Sequence, residues 1–172
     1  MKFFFFKIFF FLLFLNISNA SDNIRFVDIN YIVNNSKIGE SLNKIITEKN
    51  DKIMKELNNI KKSLDDKKNK IVAQKNILKK DEFQNLVNNY EKEVNDFNNL
   101  RKNKTKEFND FRVGSKKKIL DAINPLLTKF LENNSISILL QKDKILFGNN
   151  DLDITNEILL ILNDNYKTMK FK

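Results

Sequence analysis

Glycine and proline are almost absent from a long central stretch, and this absence limits what the chain can fold into. Between Glu40 and Asn134 the only such residues are Gly114 and Pro125. A segment without these turn-forming residues must be either helical or disordered. Apolar residues return in alternating steps of four and three from Ile46 and again from Phe83, a register that a disordered chain has no reason to keep. The stretch is therefore predicted to form two helices with a heptad pattern.

The two heptad patterns meet near residue 80, where the chain is predicted to turn back. Asp81 can cap the second helix with Gln84 at the capping-box position, and the lysines before it suit the end of the first helix. We place the tip at residues 79–82, with arms of about 60 Å. Antiparallel pairing then brings together residues at equal distance from the tip, namely Leu78 with Phe83, Ile71 with Tyr90 and Leu64 with Phe97. The alternative is a parallel dimeric coiled coil that runs straight through residue 80.

Short runs of branched and aromatic residues flank the hairpin and are predicted to form strands. These runs span 24–29, 136–140 and 144–147, and the last two are joined by a turn at 142–143. A short helix is expected at 31–37, and an amphipathic helix is expected to open at Asp153. The predicted fold class is α+β and mostly α. A long antiparallel coiled-coil hairpin (39–115) projects from a small β-sheet base (21–38 and 116–172).

Such a base would be small, and the chain has no cysteine that could stabilise it through a disulfide bond. Small scaffolds bury too little apolar surface to offset their conformational entropy, and unpaired strand edges invite a second chain. We therefore predict a symmetric oligomer whose base closes into a shared barrel. Gly114 and Pro125 weaken the returning helix near the base. They form a flexible root there, or Pro125 marks the first turn of a separate basal helix.

Residues 1–20 have the pattern of a secretion signal. Lys2 and Lys7 accompany an apolar run that ends at Leu15 and is too short for a permanent membrane anchor. Small residues then precede an expected cleavage site between Ala20 and Ser21. The mature protein is expected to be soluble in the periplasm, and the alternative is an uncleaved amphipathic or anchoring helix.

The residues needed for most catalytic and metal chemistry are missing. The chain has no histidine and no cysteine, so the common nucleophilic dyads and triads and soft-ligand metal sites are excluded. Its three glycines stand alone, so there is no phosphate-binding loop. Residues 149–153 briefly match a calcium loop, but Ile154 occupies the position that requires glycine. We predict no catalytic, cofactor or metal site, and hence no enzyme.

The strongest electrostatic feature is a lysine cluster near the tip, which is opposed there only by Asp65 and Asp66. Its members are Lys61, Lys62, Lys67, Lys68, Lys70, Lys75, Lys79 and Lys80. Such a cluster attracts acidic polypeptides or anionic lipid surfaces. We treat these lysines as candidate contacts for clients or anionic surfaces, and the alternative is that they only keep the helix soluble. Nucleic acid is disfavoured because no recognition motif accompanies the charge.

Together, the apparent signal, the strand Ile24-Arg25-Phe26-Val27-Asp28, the lysine-rich hairpin and the closing pattern resemble the Skp/OmpH family of periplasmic chaperones. The closing pattern runs from Ile138-Leu139-Leu140 through Ile145-Leu146-Phe147 to Asp153-Ile154-Thr155. The resemblance implies a homotrimer with a β-barrel body and helical arms. These arms would enclose unfolded outer-membrane proteins after export, without ATP or a cofactor. A lipopolysaccharide-binding patch is associated with the family, but none of its residues can be assigned here.

That function suits the residues of the arm. Several cationic arms can multiply weak encounters with an unfolded chain into useful avidity, and basic charge draws in acidic clients. Aromatic residues of the second helix are mostly seam residues, so we interpret them as core rather than as client contacts. The alternative function is that of an exported structural coiled coil or an adaptor of the cell envelope.

Overall fold

The computed structural model describes residues 23–171, so the expected signal and its cleavage site at Ala20 and Ser21 lie outside the described residues. The elements follow one another as β1 (Ile24–Val27), α1 (Ile29–Asn35), α2 (Lys37–Gln74), α3 (Lys80–Asn133), β2 (Ile138–Gln141) and α4 (Thr155–Asn165). Short 3-10 turns at Lys142–Lys144 and Asn150–Leu152 lie between β2 and α4. The predicted α+β and mostly helical class is confirmed.

Two side-chain caps set where the chain leaves β1 and enters the first arm. Oδ1 of Asp28 accepts a hydrogen bond from the backbone N–H of Tyr31 at 2.8 Å, which starts α1 and ends the strand before residue 29. Oγ of the buried Ser36 accepts from the N–H of Gly39 at 3.1 Å and starts α2. These caps place the short helix earlier than the predicted 31–37.

Gly39 is required at the junction of α1 and α2. A Cβ atom at this position would lie 1.9 Å from the carbonyl oxygen of Val33, which is a backbone atom that cannot move aside independently. The close approach packs α1 against the first turn of α2 and anchors the arm in the base.

Helices α2 and α3 form the hairpin within one chain, so the alternative of a parallel coiled coil through residue 80 is wrong. The chain reverses at residues 75–79, a few residues before the expected 79–82. The N–H groups of Lys75 and Ile77 bond to carbonyls only three residues back, which tightens the chain and ends α2. Lys79 occupies the N-cap of α3 without a side-chain hydrogen bond, and Asp81 lies in the first turn instead of capping it.

Helix α3 is continuous from Lys80 to Asn133 and passes through both Gly114 and Pro125. The separate basal helix that Pro125 was considered to begin is therefore absent from the described chain. Whether these two residues give the arm a flexible root remains a prediction.

The main core lies where the roots of both arms meet α1 and α4. Its members come from β1, α1, both long helices and α4, and they are Val27, Ile32, Val33, Ile38, Leu42, Ile119, Ala122, Ile123, Ile154, Ile158 and Leu162. Burial of each large aliphatic side chain contributes about 1.5–3 kcal/mol. The roots of the arms are thus part of the base, and the arm beyond them depends on its own narrow seam.

Strands β1 and β2 pair in parallel, with Ile24 opposite Ile138 and Val27 opposite Gln141. The other edge of β1 meets Asp153, because the N–H of Ile154 donates to the carbonyl of Phe26 at 2.9 Å. The strand predicted at 144–147 is not formed, and this prediction is wrong for the single chain. A 3-10 turn follows Gln141, and residues 145–147 pair with no strand among residues 23–171.

Candidate functional site

The two arms are joined by a narrow apolar seam that continues from the base to the tip. On α2, Leu57, Leu64 and Ile71 are buried at heptad spacing. The facing aromatic residues of α3 are all half-buried, and they are Phe83, Tyr90, Phe97, Phe108 and Phe111. Their partial burial agrees with the interpretation of these rings as seam residues.

Contacts between charged side chains of the two arms show how far one helix is shifted along the other. Lys67 pairs with Glu93, and Nζ of Lys104 lies 3.0 Å from Oε2 of Glu56. Nearer the base, Nζ of Lys49 lies 4.8 Å from the centre of the Phe111 ring. All three contacts agree within one residue with the antiparallel register predicted from the sequence.

The structure places the predicted lysine cluster on the distal part of α2 and in the turn. Lys67 is partly buried because it pairs with Glu93, whereas the other members are exposed. Lys61 and Lys68 are seven residues apart and lie along one side of α2, and Lys75 continues the same spacing at the C-cap of the helix, where the backbone is still in the helical region. We call these three residues the lysine stripe. The cluster is thus brought together on one segment, although its role in binding remains a prediction.

Two cavities open between the arms, and sequence reasoning did not identify them. The distal groove has a volume of about 460 Å³ and is lined by Ile60, Ser63, Leu64, Glu93, Asp96, Phe97 and Leu100. The proximal groove has a volume of about 240 Å³ and is lined by Lys49, Lys52, Ile53, Glu56, Lys104, Glu107, Phe108 and Phe111. Small or apolar residues beside the seam, such as Ser63 and Leu100, were the available signal.

A wider depression of about 800 Å³ lies on α3 alone and has a different character. Its lining is polar or charged throughout, and it consists of Asn98, Asn99, Arg101, Lys102, Thr105, Lys106, Asn109 and Asp110. A hydrogen bond to Asp110 raises the pKa of Lys106 above its ordinary value. This shallow polar surface has no apolar floor that could bind an unfolded segment.

A polar network joins the strands of the base to α4. Oγ1 of Thr155 accepts a hydrogen bond from the N–H of Asp28 at 2.8 Å and donates to Asp153. Asp153 also accepts from the N–H of Thr155 at 2.9 Å and pairs with Lys142 at 2.6 Å. Asp153 therefore binds the first residue of α4 through its side chain, but the helix begins at Thr155 with Ile154 as its N-cap, two residues later than the expected opening at Asp153.

The same network shifts two pKa values. Burial opposes the ionisation of Asp153, but the hydrogen bonds from Lys142 and Thr155 outweigh it and lower the pKa of this carboxyl below its ordinary value. The hydrogen bond and the charge of Asp153 in turn raise the pKa of Lys142. The ion pair consequently favours the charged form of both groups.

Large apolar side chains are exposed on the base around the two-stranded sheet. Leu146 and Phe147 are 93% and 96% exposed, and Ile138 and Leu140 of β2 are also exposed. Isolated exposed apolar residues are ordinary on protein surfaces, but two of these residues lie on β2, whose second edge pairs with no strand among the described residues, and two lie on the segment that follows it. This part of the base therefore offers apolar surface and a free strand edge that suit a protein partner. None of these residues had been predicted to be accessible.

Within residues 23–171, no group of three or more acidic, histidine or cysteine side chains is placed to hold a metal ion. No helix in this part of the chain is both long and apolar enough to span a membrane.

Comparison with known proteins gives a consistent result over the same region. The sequence profile of a family described as "Outer membrane protein (OmpH-like)" matches residues 23–162. Among solved structures, the fold matches an OmpH-like protein from Caulobacter crescentus CB15 that is described as a candidate outer membrane chaperone. The TM-score is 0.79 at 17% sequence identity, over 90% of this chain and 92% of that chain. No match was found among curated protein sequences.

Proposed function

The chain belongs to the OmpH-like family, and on this premise we propose that it is an ATP-independent holding chaperone of the periplasm. It would bind unfolded outer-membrane proteins after export and prevent their aggregation, without catalysing a reaction. The observation that carries the proposal is the arm, a long hairpin with a groove of apolar floor between its helices and a lysine cluster at its distal end. Such an arm offers many weak contacts and no single specific pocket, which suits clients without a fixed structure.

The lysine cluster supports the proposal through long-range attraction. The chain carries a formal net charge of +9 at pH 7, and the exposed lysines concentrate part of that charge far from the base. Basic surfaces accelerate encounters with acidic polypeptides and with anionic lipid or lipopolysaccharide headgroups. We propose that the cluster collects clients near the membrane surface and that the apolar grooves hold them.

We also propose that several chains assemble through the base, as a homotrimer with a shared barrel. Two observations support this proposal. The second edge of β2 is unpaired among the described residues and can accept a strand from a neighbouring chain, and Leu146 and Phe147 expose apolar surface that assembly would bury. The predicted division into arm (39–115) and base (21–38 and 116–172) belongs to the same proposal. Leu42 nevertheless packs in the core of the base.

A dilution assay tests the proposed function. An outer-membrane porin unfolded in urea is diluted into buffer with the mature protein, and light scattering is followed over time. We expect scattering to be suppressed at about one trimer per porin, without ATP. An inert exported coiled-coil protein of similar charge serves as the control. If scattering is unchanged at a several-fold excess of protein, the chain is better explained as a structural coiled coil or an adaptor of the cell envelope.

A further inference from the structure

The arm has two chemically different sides, and the difference follows from the helical geometry. Ser63 directly precedes the seam residue Leu64, whereas Lys61 directly follows the seam residue Ile60. At about 100° per residue, Ser63 and Lys61 point to opposite flanks of the seam. The lysine stripe therefore occupies one flank of α2, and Ser63 occupies the other flank together with Glu56 and Lys49, which precede it at heptad spacing.

Both grooves open on the flank that carries Ser63. Lys49, Glu56 and Ser63 line the grooves from α2, and Glu93, Leu100 and Glu107 line them from α3, again at heptad spacing. No residue of the lysine stripe lines either groove. One flank of the arm thus carries both grooves with charges of both signs, and the distal α2 part of the other flank carries the lysine stripe.

Two ion pairs between the arms set the length of the distal groove. Lys67 pairs with Glu93 at its outer end, and Glu56 pairs with Lys104 at the boundary with the proximal groove. Along α2, Glu56 and Lys67 are about 16 Å apart. An extended chain of about five residues spans the same distance. The floor between them is apolar and is formed by Ile60, Leu64, Phe97 and Leu100.

We infer that the distal groove is a client-binding site for an extended segment in which apolar and polar residues alternate. An extended chain points alternate side chains to opposite sides, so two or three apolar side chains of such a segment would enter the groove while the polar ones stay in water. The charges at both ends are paired with each other, and the other charged side chain of the lining is Asp96. The groove therefore selects its segment mainly through the apolar floor. Alternation of this kind is typical of the strands of membrane β-barrels. The inference rests on the proposed function and adds to it the side of the arm that meets the client.

The absence of cysteine from the chain allows a direct test. Ser63→Cys places one thiol at the distal groove, and Thr105→Cys places one at the polar depression of α3, also on an exposed residue. Each full-length mature variant is coupled to the same thiol-linked photo-crosslinker and mixed with a urea-unfolded porin. We expect the yield of crosslinked porin to be about tenfold higher from position 63 than from position 105. The reason is that apolar side chains of the porin are removed from water when they enter the distal groove.

Suppression of porin aggregation is measured on the same samples, which separates the two ideas. If suppression persists but the crosslinking yields are equal, or higher from position 105, the groove inference is overturned and the proposed function stands. If suppression is absent in the unlabelled wild-type protein, the proposed function fails and the groove inference falls with it. Preserved helical circular dichroism confirms that each variant is folded.

The nature of the bound segment is tested with two synthetic peptides of identical composition. One peptide alternates leucine or phenylalanine with serine or asparagine, and the other groups its apolar residues at one end. An environment-sensitive dye on Ser63→Cys reports binding. We expect the alternating peptide to bind several-fold more tightly than the other peptide, because every second side chain of an extended peptide points into the groove and all of these are apolar in the alternating sequence. Equal affinity for the two peptides would contradict the proposed extended, alternating segment.

Discussion

Oε2 of Glu56 in the outgoing helix accepts a hydrogen bond from Nζ of Lys104 in the returning helix at 3.0 Å. This contact joins residues that are 48 positions apart in the sequence, and it lies between the two grooves of the arm. Both side chains keep a substantial exposed fraction, 44% for Glu56 and 30% for Lys104. The pair therefore marks the register of the hairpin more than it stabilises it.

We predict that reversal of one charge in this pair has a small effect that the reversed partner restores. Glu56→Lys should lower the free energy of unfolding by no more than about 1 kcal/mol, since solvent and salt screen an exposed pair. The double variant Glu56→Lys with Lys104→Glu should recover most of the loss. Urea unfolding at low and at high salt measures both effects, and a loss that is much larger or that salt does not reduce would contradict the prediction.

The two helical glycines should respond to alanine in opposite directions. Gly39→Ala should destabilise the protein by about 2–3 kcal/mol, because the added methyl group would overlap the backbone of Val33 and force α1 away from α2. Gly114→Ala should stabilise it by about 1 kcal/mol, because a Cβ atom there has no neighbour within 4 Å and alanine favours helix. Thermal unfolding followed by circular dichroism measures both variants. A stable Gly39→Ala protein would show that the junction of the two helices can shift.

The hairpin could be predicted from the sequence because its determinants are local and repetitive. Apolar heptads on two neighbouring segments define both helices and their register, and the pairs Lys67 with Glu93 and Glu56 with Lys104 lie where that register requires. The tip was placed a few residues late because Asp81 looked like a cap. The turn instead follows from tightening at Lys75 and Ile77, and neither residue type is a turn signal in the sequence.

The base and the grooves could be predicted less well because they depend on contacts between distant residues. Residues 144–147 have the composition of a strand, but a strand forms only beside a partner edge, and β1 uses its second edge to bind Asp153. The distal groove lies where Ser63 and the half-buried Phe97 leave space between the helices. Such a gap depends on side-chain packing and not on the heptad pattern itself.

The base should lose stability in acid because of Asp153. The pKa of this carboxyl is lower in the folded state than in the unfolded state, where it is about 4. The ionised carboxylate therefore contributes to the free energy of unfolding above about pH 4, and this contribution is lost as the pH falls through the lower pKa of the folded state. Asp153→Asn should therefore destabilise the protein at pH 7 by about 1 kcal/mol. Urea unfolding at several pH values should show this difference narrowing below about pH 4. Asp151→Asn, at a neighbouring exposed residue, is the control, and an equal effect of that change would contradict the assignment.

Removal of the lysine stripe should weaken binding to anionic membranes. Lys61, Lys68 and Lys75 changed together to glutamine should reduce the affinity for vesicles containing phosphatidylglycerol by roughly tenfold or more, since each lysine near such a surface contributes up to about 1 kcal/mol. Lys44, Lys55 and Lys118 provide a control triple with the same change in charge, and all three are exposed nearer the base. Vesicle co-sedimentation at low and high salt measures the difference. Equal losses in the two triples would show that net charge matters and position does not.

The exposed side chains of Leu146 and Phe147 in the base should be required for assembly but not for the folding of the single chain. Leu146 and Phe147 are almost completely exposed, so serine at both positions removes little packing within the chain. If a neighbouring chain covers them, the double change should shift the sedimentation coefficient from trimer to monomer at micromolar concentration while helical circular dichroism is retained. Ile77→Ser is the matched control, because Ile77 is 79% exposed but lies at the tip, where assembly through the base makes no contact.

Because the base is too small to be strongly stable alone, the monomer should also unfold at a lower urea concentration than the assembled protein. An unchanged sedimentation coefficient would exclude these two side chains from the interface and leave the unpaired edge of β2 as the remaining route to assembly.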